Sequence, residues 1–311
     1  MSKGITGILA TLVLTAGIGG CGATNVSVSE GSSTPSSSTS SSDTIVIGGK
    51  NFTEQDIMAD MMKLLIQKND PKLHIKMKTW LDSNVVWNAM KNGNIDIYVE
   101  YTGTGLVNIL KDPVTTDPQK AYDTVKQQME QKYHITWLKP IGFNNTYAMA
   151  MTQKEAGKLG IKTISGLAKE SGNLTLGTEQ DFIERTDGLP AMNKLYGTHF
   201  KHVKSMEIGL KYKALTSGNV DVIDAFSTDG NIPANHLVLL KDDKHLFPPY
   251  YAVPTIRDSV LKAHPELKAI LNQLAGKIDD SEMQKLNEEV DLNHKKAMDV
   301  AQQWLKEQGM L

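Results

Sequence analysis

Cysteine is nearly absent from this chain: Cys21 is the single cysteine among 311 residues. A disulfide joins two cysteines, so the chain can form neither an internal disulfide framework nor a cysteine-based metal cluster. Charge of one sign is not in surplus either, because 33 basic residues face 35 acidic ones and the formal net charge is −2. Proteins that bind nucleic acid usually carry a basic surplus, so we expect no nucleic-acid partner.

Long apolar runs are confined to the amino terminus, where residues 4–18 follow Lys3 and contain only apolar residues, Thr and Gly. This run is shorter than a membrane-spanning helix and is typical of a signal peptide. It leads into Gly19-Gly20-Cys21, which resembles the bacterial lipobox, whose cysteine receives a lipid. We predict a lipoprotein signal peptide over residues 1–20 and a lipid anchor on Cys21. The alternative is an ordinary signal peptide with an incidental cysteine.

Residues 22–43 contain no aromatic side chain, and ten of these 22 residues are serine. Such a stretch cannot bury enough apolar area to offset the entropy that is lost on ordering. We therefore predict that residues 21–43 form a lipidated, serine-rich tether and that the folded part begins at Thr44. Together the signal peptide, the cysteine and the tether predict an extracytoplasmic protein that is held at the cell membrane only by its lipid.

Enzyme signatures are also scarce. The sequence has no Gly-x-Ser-x-Gly nucleophile turn and no Gly-Lys-Ser/Thr phosphate-binding loop. His199 and His202 lie three residues apart, but this spacing alone is weak evidence for a metal site and no third ligand is evident. We expect no catalytic site, no cofactor and no bound metal.

From Thr44 onward, strand-like and helix-like patterns alternate, which predicts an α/β fold with mostly parallel strands. Residues 45–47 and 73–77 have strand patterns, whereas residues 53–56 (TEQD) resemble a capping box at the start of a helix. Two amphipathic helices are expected between residues 281 and 308, packed on the first lobe. The four tryptophans fall on strand or helix patterns, and we expect all of them in the core: Trp80, Trp87, Trp137 and Trp304.

An internal repeat sharpens this prediction. Residues 89–105 (AMKNGNIDIYVEYTGTG) align without a gap to residues 214–230 (ALTSGNVDVIDAFSTDG). Each unit reads as a helix end, a Gly-Asn turn, a buried strand and a small polar loop, although shared composition alone is the alternative explanation. The repeat indicates two lobes on one plan, with Tyr101 and Phe226 at the carboxyl ends of equivalent strands, where open α/β sheets bind ligands.

Five motifs then resemble one known family, the osmoprotectant-binding lipoproteins that serve ABC importers for glycine betaine, carnitine and choline. The resemblance runs from about Thr44 to about Ala301. The motifs are GGKNFTEQ (48–55), YTGT (101–104), NTYA (145–148), FSTDG (226–230) and KDDKHLFPPY (241–250).

The resemblance implies a type II periplasmic-binding-protein fold with two hinge crossings, with lobe one formed by 44–144 plus 252–311 and lobe two by 147–249. It implies an aromatic cage for a trimethylammonium group, made by Tyr101, Tyr147, Phe226 and Tyr250. It also implies that Lys50, Thr104 and Arg185 hold the ligand carboxylate. Most relatives carry tyrosine where this chain has Phe226, so any hydrogen bond from that hydroxyl is in doubt.

Aromatic faces suit a quaternary ammonium because it has no N–H to donate and its charge is spread over methyl groups. Two of the three residues assigned to the carboxylate have an alternative interpretation. Lys50 could be a solvated lysine, and Arg185 could form a surface ion pair with Glu184 or Asp187. The sequence therefore predicts a solute-binding protein, with an ABC permease as its partner. A binding protein of the same fold for another small ligand, such as an amino acid, is one alternative, and a cell-surface hydrolase is another.

Overall fold

A computed structural model describes residues 43–311, which contain two five-stranded sheets flanked by helices. Within these residues the strands are β1 (Thr44–Lys50), β2 (His74–Leu81), β3 (Ile97–Tyr101), β4 (Ile135–Trp137), β5 (Tyr147–Thr152), β6 (Thr175–Thr178), β7 (His202–Ser205), β8 (Val222–Phe226), β9 (Leu237–Leu240) and β10 (Ala252–Arg257). The predicted signal peptide, Cys21 and nearly all of the predicted tether lie outside the described residues.

The helices complete an α/β arrangement. In the same range they are α1 (Thr53–Asn69), α2 (Ser83–Lys91), α3 (Pro118–Tyr133), α4 (Gln153–Leu159), α5 (Ile164–Glu170), α6 (Gln180–Glu184), α7 (Leu189–Tyr196), α8 (Ile208–Thr216), α9 (Asn231–Ala234), α10 (Asp258–Ala263), α11 (Glu266–Leu271), α12 (Asp280–Asp291) and α13 (Ala297–Glu307), with a π-helical segment at Thr104–Ile109 and 3₁₀ turns at Ser171–Asn173 and Asn272–Leu274. None of these helices is both long and apolar enough to cross a bilayer.

The two sheets have equivalent strand orders. The first runs β2-β1-β3-β10-β4 and the second runs β7-β6-β8-β5-β9. We call the part around the first sheet lobe one and the part around the second sheet lobe two. In this order β3 corresponds to β8, and these are the strands that the sequence repeat relates. The two-lobed α/β prediction is confirmed.

The prediction of mostly parallel strands is confirmed, because four of the five strands in each described sheet run in one direction and a single strand, β10 or β5, runs the opposite way. The pairings of β1 with β2 and β3, and of β6 with β7 and β8, are parallel, but β10 and β5 pair antiparallel with both of their neighbours. Both antiparallel strands follow a passage of the chain from one sheet to the other. A strand that enters a sheet by such a passage, rather than by a local βαβ crossover, is free to run antiparallel.

Asp96 and Asp221, equivalent in the repeat, have equivalent local roles. Asp96 Oδ2 accepts a hydrogen bond from the Val46 amide at 2.9 Å, and Asp221 Oδ2 accepts one from the Thr175 amide at 2.7 Å. Each aspartate lies just before a central strand, β3 or β8, and its side chain binds the backbone of the neighbouring parallel strand, β1 or β6.

The two passages between the sheets run side by side. Asn144 and Tyr251 form an antiparallel bridge, and the Asn145 amide donates to the Tyr250 carbonyl at 3.0 Å. Residues 145–147 and 249–251 consequently lie together at the junction of the lobes. This places two predicted cage residues, Tyr147 and Tyr250, beside the connecting segments.

The carboxyl-terminal helices α12 and α13 pack against α1 of lobe one, as the sequence pattern predicts. The capping-box prediction is wrong, because α1 begins without a side-chain cap and the Thr53 hydroxyl donates instead to Asp291 at the end of α12. Glu54 is thereby free to point inward, and only 2% of its surface is exposed.

The tryptophan prediction is right for Trp137 and Trp304, which are buried, whereas Trp87 is half-buried. It is wrong for Trp80, which is 59% exposed. Trp80 has a φ of 60°, and the register of β1 against β2 shifts between Gly48 and Lys50. Exposed and half-buried residues alternate along β2 as far as Leu81, and Trp80 falls on the exposed face, where its indole donates to Asp56.

Candidate ligand-binding site

One cavity between the lobes brings together all seven residues that the sequence predicts for the ligand site. Its volume is about 30 Å³. The predicted residues that line it are Lys50, Tyr101, Thr104, Tyr147, Arg185, Phe226 and Tyr250. Further lining residues that the sequence reasoning did not assign to the site include Asn51, Phe52, Asn145, Glu179 and Asp181.

Strand register explains how four distant aromatics converge. Tyr101 ends β3 and lies opposite Ala252 of β10, so Tyr250 arrives beside it just before β10 begins. Tyr147 begins β5 and is the direct cross-strand partner of Phe226, which ends β8. Each ring therefore stands where a strand meets the junction of the lobes, which is the edge predicted for ligand binding.

The rings contact one another closely. The Tyr147 centroid lies 4.9 Å from that of Phe226 and 5.7 Å from that of Tyr250, with an edge-on arrangement for the second pair. All four predicted rings are at most 8% exposed. Such a set of faces offers apolar contact together with the negative potential of the ring quadrupoles.

Three phenylalanines extend this aromatic cluster and were missed at the sequence level. Phe52 stacks on Phe226 at 5.5 Å and on Tyr101 at 6.3 Å, so it bridges the rings of the two lobes. Phe182 and Phe247 support Tyr147 at 5.2 and 5.7 Å. Phe52 and Phe247 lie inside the resembling motifs GGKNFTEQ and FPP, so their motif position was the available signal.

Arg185 and Thr104 meet across the cavity. Arg185 Nη2 donates to Thr104 Oγ1 at 3.0 Å and to Asp187 Oδ2 at 2.6 Å. Tyr250 Oη also donates to Asp187 Oδ2, at 2.8 Å. Burial alone would raise the pKa of Asp187, but the Arg185 guanidinium and the Tyr250 hydroxyl hold it below its usual range. Arg185 does pair with Asp187, but this pair is buried rather than solvated.

Lys50 is not a solvated lysine, because it is only 2% exposed and its Nζ lies 2.5 Å from Glu100 Oε1. Glu100 also accepts bonds from the Tyr101 amide and the Tyr98 hydroxyl. Burial lowers the pKa of Lys50, and Glu100 opposes this shift. The lysine therefore reaches the cavity wall already paired with a carboxylate.

Lobe two holds a second buried lysine. Lys211 Nζ donates to Glu179 Oε2 at 2.8 Å and to Asp224 Oδ2 at 2.9 Å, and it lies 5.0 Å from the centroid of Phe226. Lys50 lies at the same 5.0 Å from Tyr101. Each of the two repeat-related rings thus has a buried lysine beside it, and each lysine pairs with a carboxylate on the ring's own strand.

The cleft continues beyond Phe52 into a wider, solvent-open cavity of about 620 Å³. Trp80 from lobe one and Leu210 from lobe two line it, and both are more than half exposed. This wider part shares Asn51, Phe52, Asn145 and Ile208 with the aromatic cavity. It therefore connects the aromatic cavity with the solvent.

Residues 43–307 match a family model described as the substrate binding domain of the ABC-type glycine betaine transport system. The chain belongs to this family of substrate-binding domains. Its members are solute-binding components of ABC import systems, and binding of this kind needs no catalytic residues.

Several relatives of this substrate-binding domain are known. The chain is 43% identical over 270 residues to the carnitine transport binding protein OpuCC of Listeria monocytogenes, covering 86% of this chain and 87% of that one. It is 37% identical over 271 residues to the ergothioneine transport permease/ergothioneine binding protein EgtU of Helicobacter pylori, covering 86% of this chain but 48% of EgtU. A crystal structure of a glycine betaine/carnitine/choline ABC transporter matches with 39% identity and a TM-score of 0.69, covering 86% of this chain and 99% of that one.

Proposed function

We propose that this substrate-binding domain holds the trimethylammonium group of an osmoprotectant in the cage of Tyr101, Tyr147, Phe226 and Tyr250, and delivers the ligand to an ABC permease. One observation carries the proposal: these rings, from both lobes and both connecting segments, line one buried cavity. The chemical class is a small quaternary ammonium, such as glycine betaine, carnitine or choline. Ergothioneine, which also has a trimethylammonium group and a carboxylate, belongs to the same class.

The cage supplies the cationic half of the recognition. A quaternary ammonium bound over one ring face gains about 0.5–2 kcal/mol, so four faces give roughly 2–8 kcal/mol. Micromolar affinity needs about 8 kcal/mol. At the upper end of this range the cage alone reaches that figure, whereas at the lower end about 6 kcal/mol must come from further contacts.

The ligand carboxylate supplies these contacts in our proposal. Lys50, Thr104 and Arg185 present donors to the same cavity, and the Arg185–Thr104 hydrogen bond already joins the lobes there. A guanidinium can bind a carboxylate through two parallel bonds, whereas an ammonium acts as a point charge. Asp187 and Glu100 hold the two cations in place, because a buried charge needs a partner.

The proposal also covers organisation and location. Lobe one comprises residues 44–144 plus 252–311, and lobe two comprises residues 147–249, with closure of the lobes around the ligand as the signal to the permease. The chain acts outside the cytoplasm, anchored by a lipid on Cys21 after removal of residues 1–20, and it is not an enzyme.

Isothermal titration of the full-length chain in detergent tests the proposal. We expect binding of at least one of glycine betaine, carnitine, choline and ergothioneine, and no binding of proline, which has no methylated nitrogen. Tyr101→Ala and Tyr147→Ala should each weaken this binding at least about tenfold, the loss expected from removing a ring face and its packing. Tyr133→Ala is the control, because Tyr133 packs on Trp87 in lobe one outside the cavity. Unchanged affinity in both cage variants would refute the cage.

A further inference from the structure

Glu54 is a buried carboxylate to which the proposed function gives no role. It lies in the first turn of α1, 2% exposed, and it lines the wider part of the cleft. In the described range 43–311 no lysine or arginine forms an ion pair with it. A charged group that is buried without a counter-ion is costly unless hydrogen bonds compensate it.

Four donors from four segments provide this compensation. Glu54 Oε1 accepts from the Tyr101 hydroxyl at 2.6 Å and from Asn145 Nδ2 at 2.8 Å. Glu54 Oε2 accepts from the Thr228 hydroxyl at 2.6 Å and from Asn287 Nδ2 at 3.4 Å. One carboxylate thus joins a cage ring, a segment between the lobes, the loop after β8 of lobe two, and α12.

Its two oxygens face different parts of the molecule. Glu54 Oε1 binds Tyr101 of the proposed cage. The Tyr101 hydroxyl accepts a hydrogen bond from Gln55 Nε2 at 2.9 Å, so its own proton points to Glu54. Glu54 Oε2 binds lobe two, because its partner Thr228 follows β8. The backbone carbonyl of Thr228 also accepts a hydrogen bond from Asn287 Nδ2 at 2.9 Å. Movement of lobe two away from α1 would break the Thr228 bond.

We propose that Glu54 is a positioning residue that fixes Tyr101 in the cage and, through Thr228, latches lobe two onto lobe one while ligand is bound. The inference rests on the proposed function of the cavity. It assigns Glu54 no contact with ligand. A latch of this kind acts after the lobes have come together, so it slows release of the ligand more than it speeds capture.

The test removes the latch from the side of lobe two. Thr228→Val keeps the size of the side chain and deletes the donor to Glu54. Stopped-flow tryptophan fluorescence of the full-length chain, with glycine betaine, carnitine and choline as probes, gives association and dissociation rates separately, and Trp80 in the cleft is a local reporter. We expect dissociation to speed up about tenfold, as for the loss of one hydrogen bond to a charged group. Association should change by less than about twofold.

Two controls separate this role from simple loss of stability. Thr136→Val deletes an equivalent threonine–carboxylate bond, from Thr136 to Asp258 at 2.7 Å, which lies within lobe one away from the cavity. It should leave both rates unchanged even where its melting temperature falls as much as that of Thr228→Val. Thr228→Ser retains the hydroxyl and should release ligand at the wild-type rate.

If Thr228→Val releases every probe that binds at the wild-type rate, the proposed role of Glu54 is refuted and the proposed function is unaffected. Absence of binding by the wild-type chain to every probe would instead overturn the proposed function. If Thr228→Val does not fold, Tyr101→Phe replaces it. This variant breaks the bond at the other oxygen of Glu54 and keeps the ring, and an unchanged dissociation rate there would likewise overturn the inference.

Discussion

The two lobes place related groups around the proposed ligand cavity, but the groups differ in the number of carboxylates. In lobe one, Lys50 pairs with a single carboxylate, Glu100, beside Tyr101. In lobe two, Lys211 pairs with two carboxylates, Glu179 and Asp224, beside Phe226. Both groups are almost fully buried, so the difference cannot be attributed to exposure.

Hydrogen bonding shows the same contrast. Both oxygens of Glu100 have partners, including the Tyr98 hydroxyl and the Tyr101 amide. In lobe two, Glu179 Oε1 and Asp224 Oδ1 are buried without a donor. One proton shared between the two carboxylates would supply a bond and remove the excess charge. In agreement, burial and the neighbouring Asp224 raise the pKa of Glu179 to about 8.

The two groups also face the cavity with different members. Lys50 is the cavity-lining member in lobe one, whereas Glu179 is the lining member in lobe two. In our proposal a zwitterionic ligand lies with its carboxylate toward Lys50 and its methylated nitrogen toward the rings. Repetition of the strand framework thus does not imply repetition of the charges on it.

The largest expected effect comes from removing the lysine of lobe two. Lys211→Met leaves Glu179 and Asp224 together without a cation, and within residues 43–311 Lys211 is the only other side chain that donates a hydrogen bond to either of them. We expect the free energy of unfolding to fall by about 3–5 kcal/mol, as for other buried ion pairs that lose one partner. Urea denaturation followed by circular dichroism measures this loss.

Lys50→Met is the matched comparison. Glu100 keeps its bonds from Tyr98 and the Tyr101 amide, so the loss should be smaller, about 1–3 kcal/mol. Equal losses in the two variants would show that the second carboxylate of lobe two does not matter to the stability of the group.

A smaller effect concerns pH. Because the pKa of Glu179 is raised above its ordinary value of 4.5 to about 8, the folded state binds this proton more tightly than the unfolded state does. Its contribution to stability is therefore complete below about pH 4.5 and is lost as the pH rises through about 8. Glu179→Gln, which cannot ionise, should flatten the decline in unfolding free energy between pH 5 and pH 9 by an amount on the order of 4 kcal/mol.

Two other buried carboxyls also lower the unfolding free energy as the pH rises. Burial raises the pKa of Glu54 to about 7 and that of Asp229 to about 6, and both remain in Glu179→Gln. The prediction accordingly concerns the difference between the wild type and the variant at each pH. A difference that stays constant from pH 5 to pH 9 would exclude a titrating Glu179 and, with it, the shared proton.

Strand alternation and the repeat predicted the two-lobed fold because they are local or evenly spaced signals, whereas the seven proposed site residues came from the resemblance to a known family. The equivalence of Tyr101 and Phe226 could be read directly from the repeat. The buried partners could not, since Glu54 meets Thr228 across 174 positions and Lys50 meets Glu100 across 50. No periodicity specifies such pairs.

Charged side chains were the main source of error for the same reason. Lys211, Glu179 and Asp224 read as ordinary helix and strand residues, and only the packing of α8 on β6 and β8 buries them together. The capping box at Thr53 failed because a distant residue, Asp291, bound its hydroxyl. Local propensity is a weak predictor wherever a tertiary partner competes for the same donor.

The smallest effect tests whether the lobe-one lysine recognises the ligand carboxylate. Lys50→Ala removes the cation from the cavity wall and leaves Glu100, so the wall becomes more negative. We expect affinity for glycine betaine to fall about tenfold more than affinity for choline, which has no carboxylate and gains from the added negative charge. Titration calorimetry with both ligands measures the ratio. Lys78→Ala, an exposed lysine in β2 of the same lobe, is the control and should leave the ratio unchanged. An equal loss for both ligands would mean that Lys50 serves only Glu100 and does not bind the ligand carboxylate.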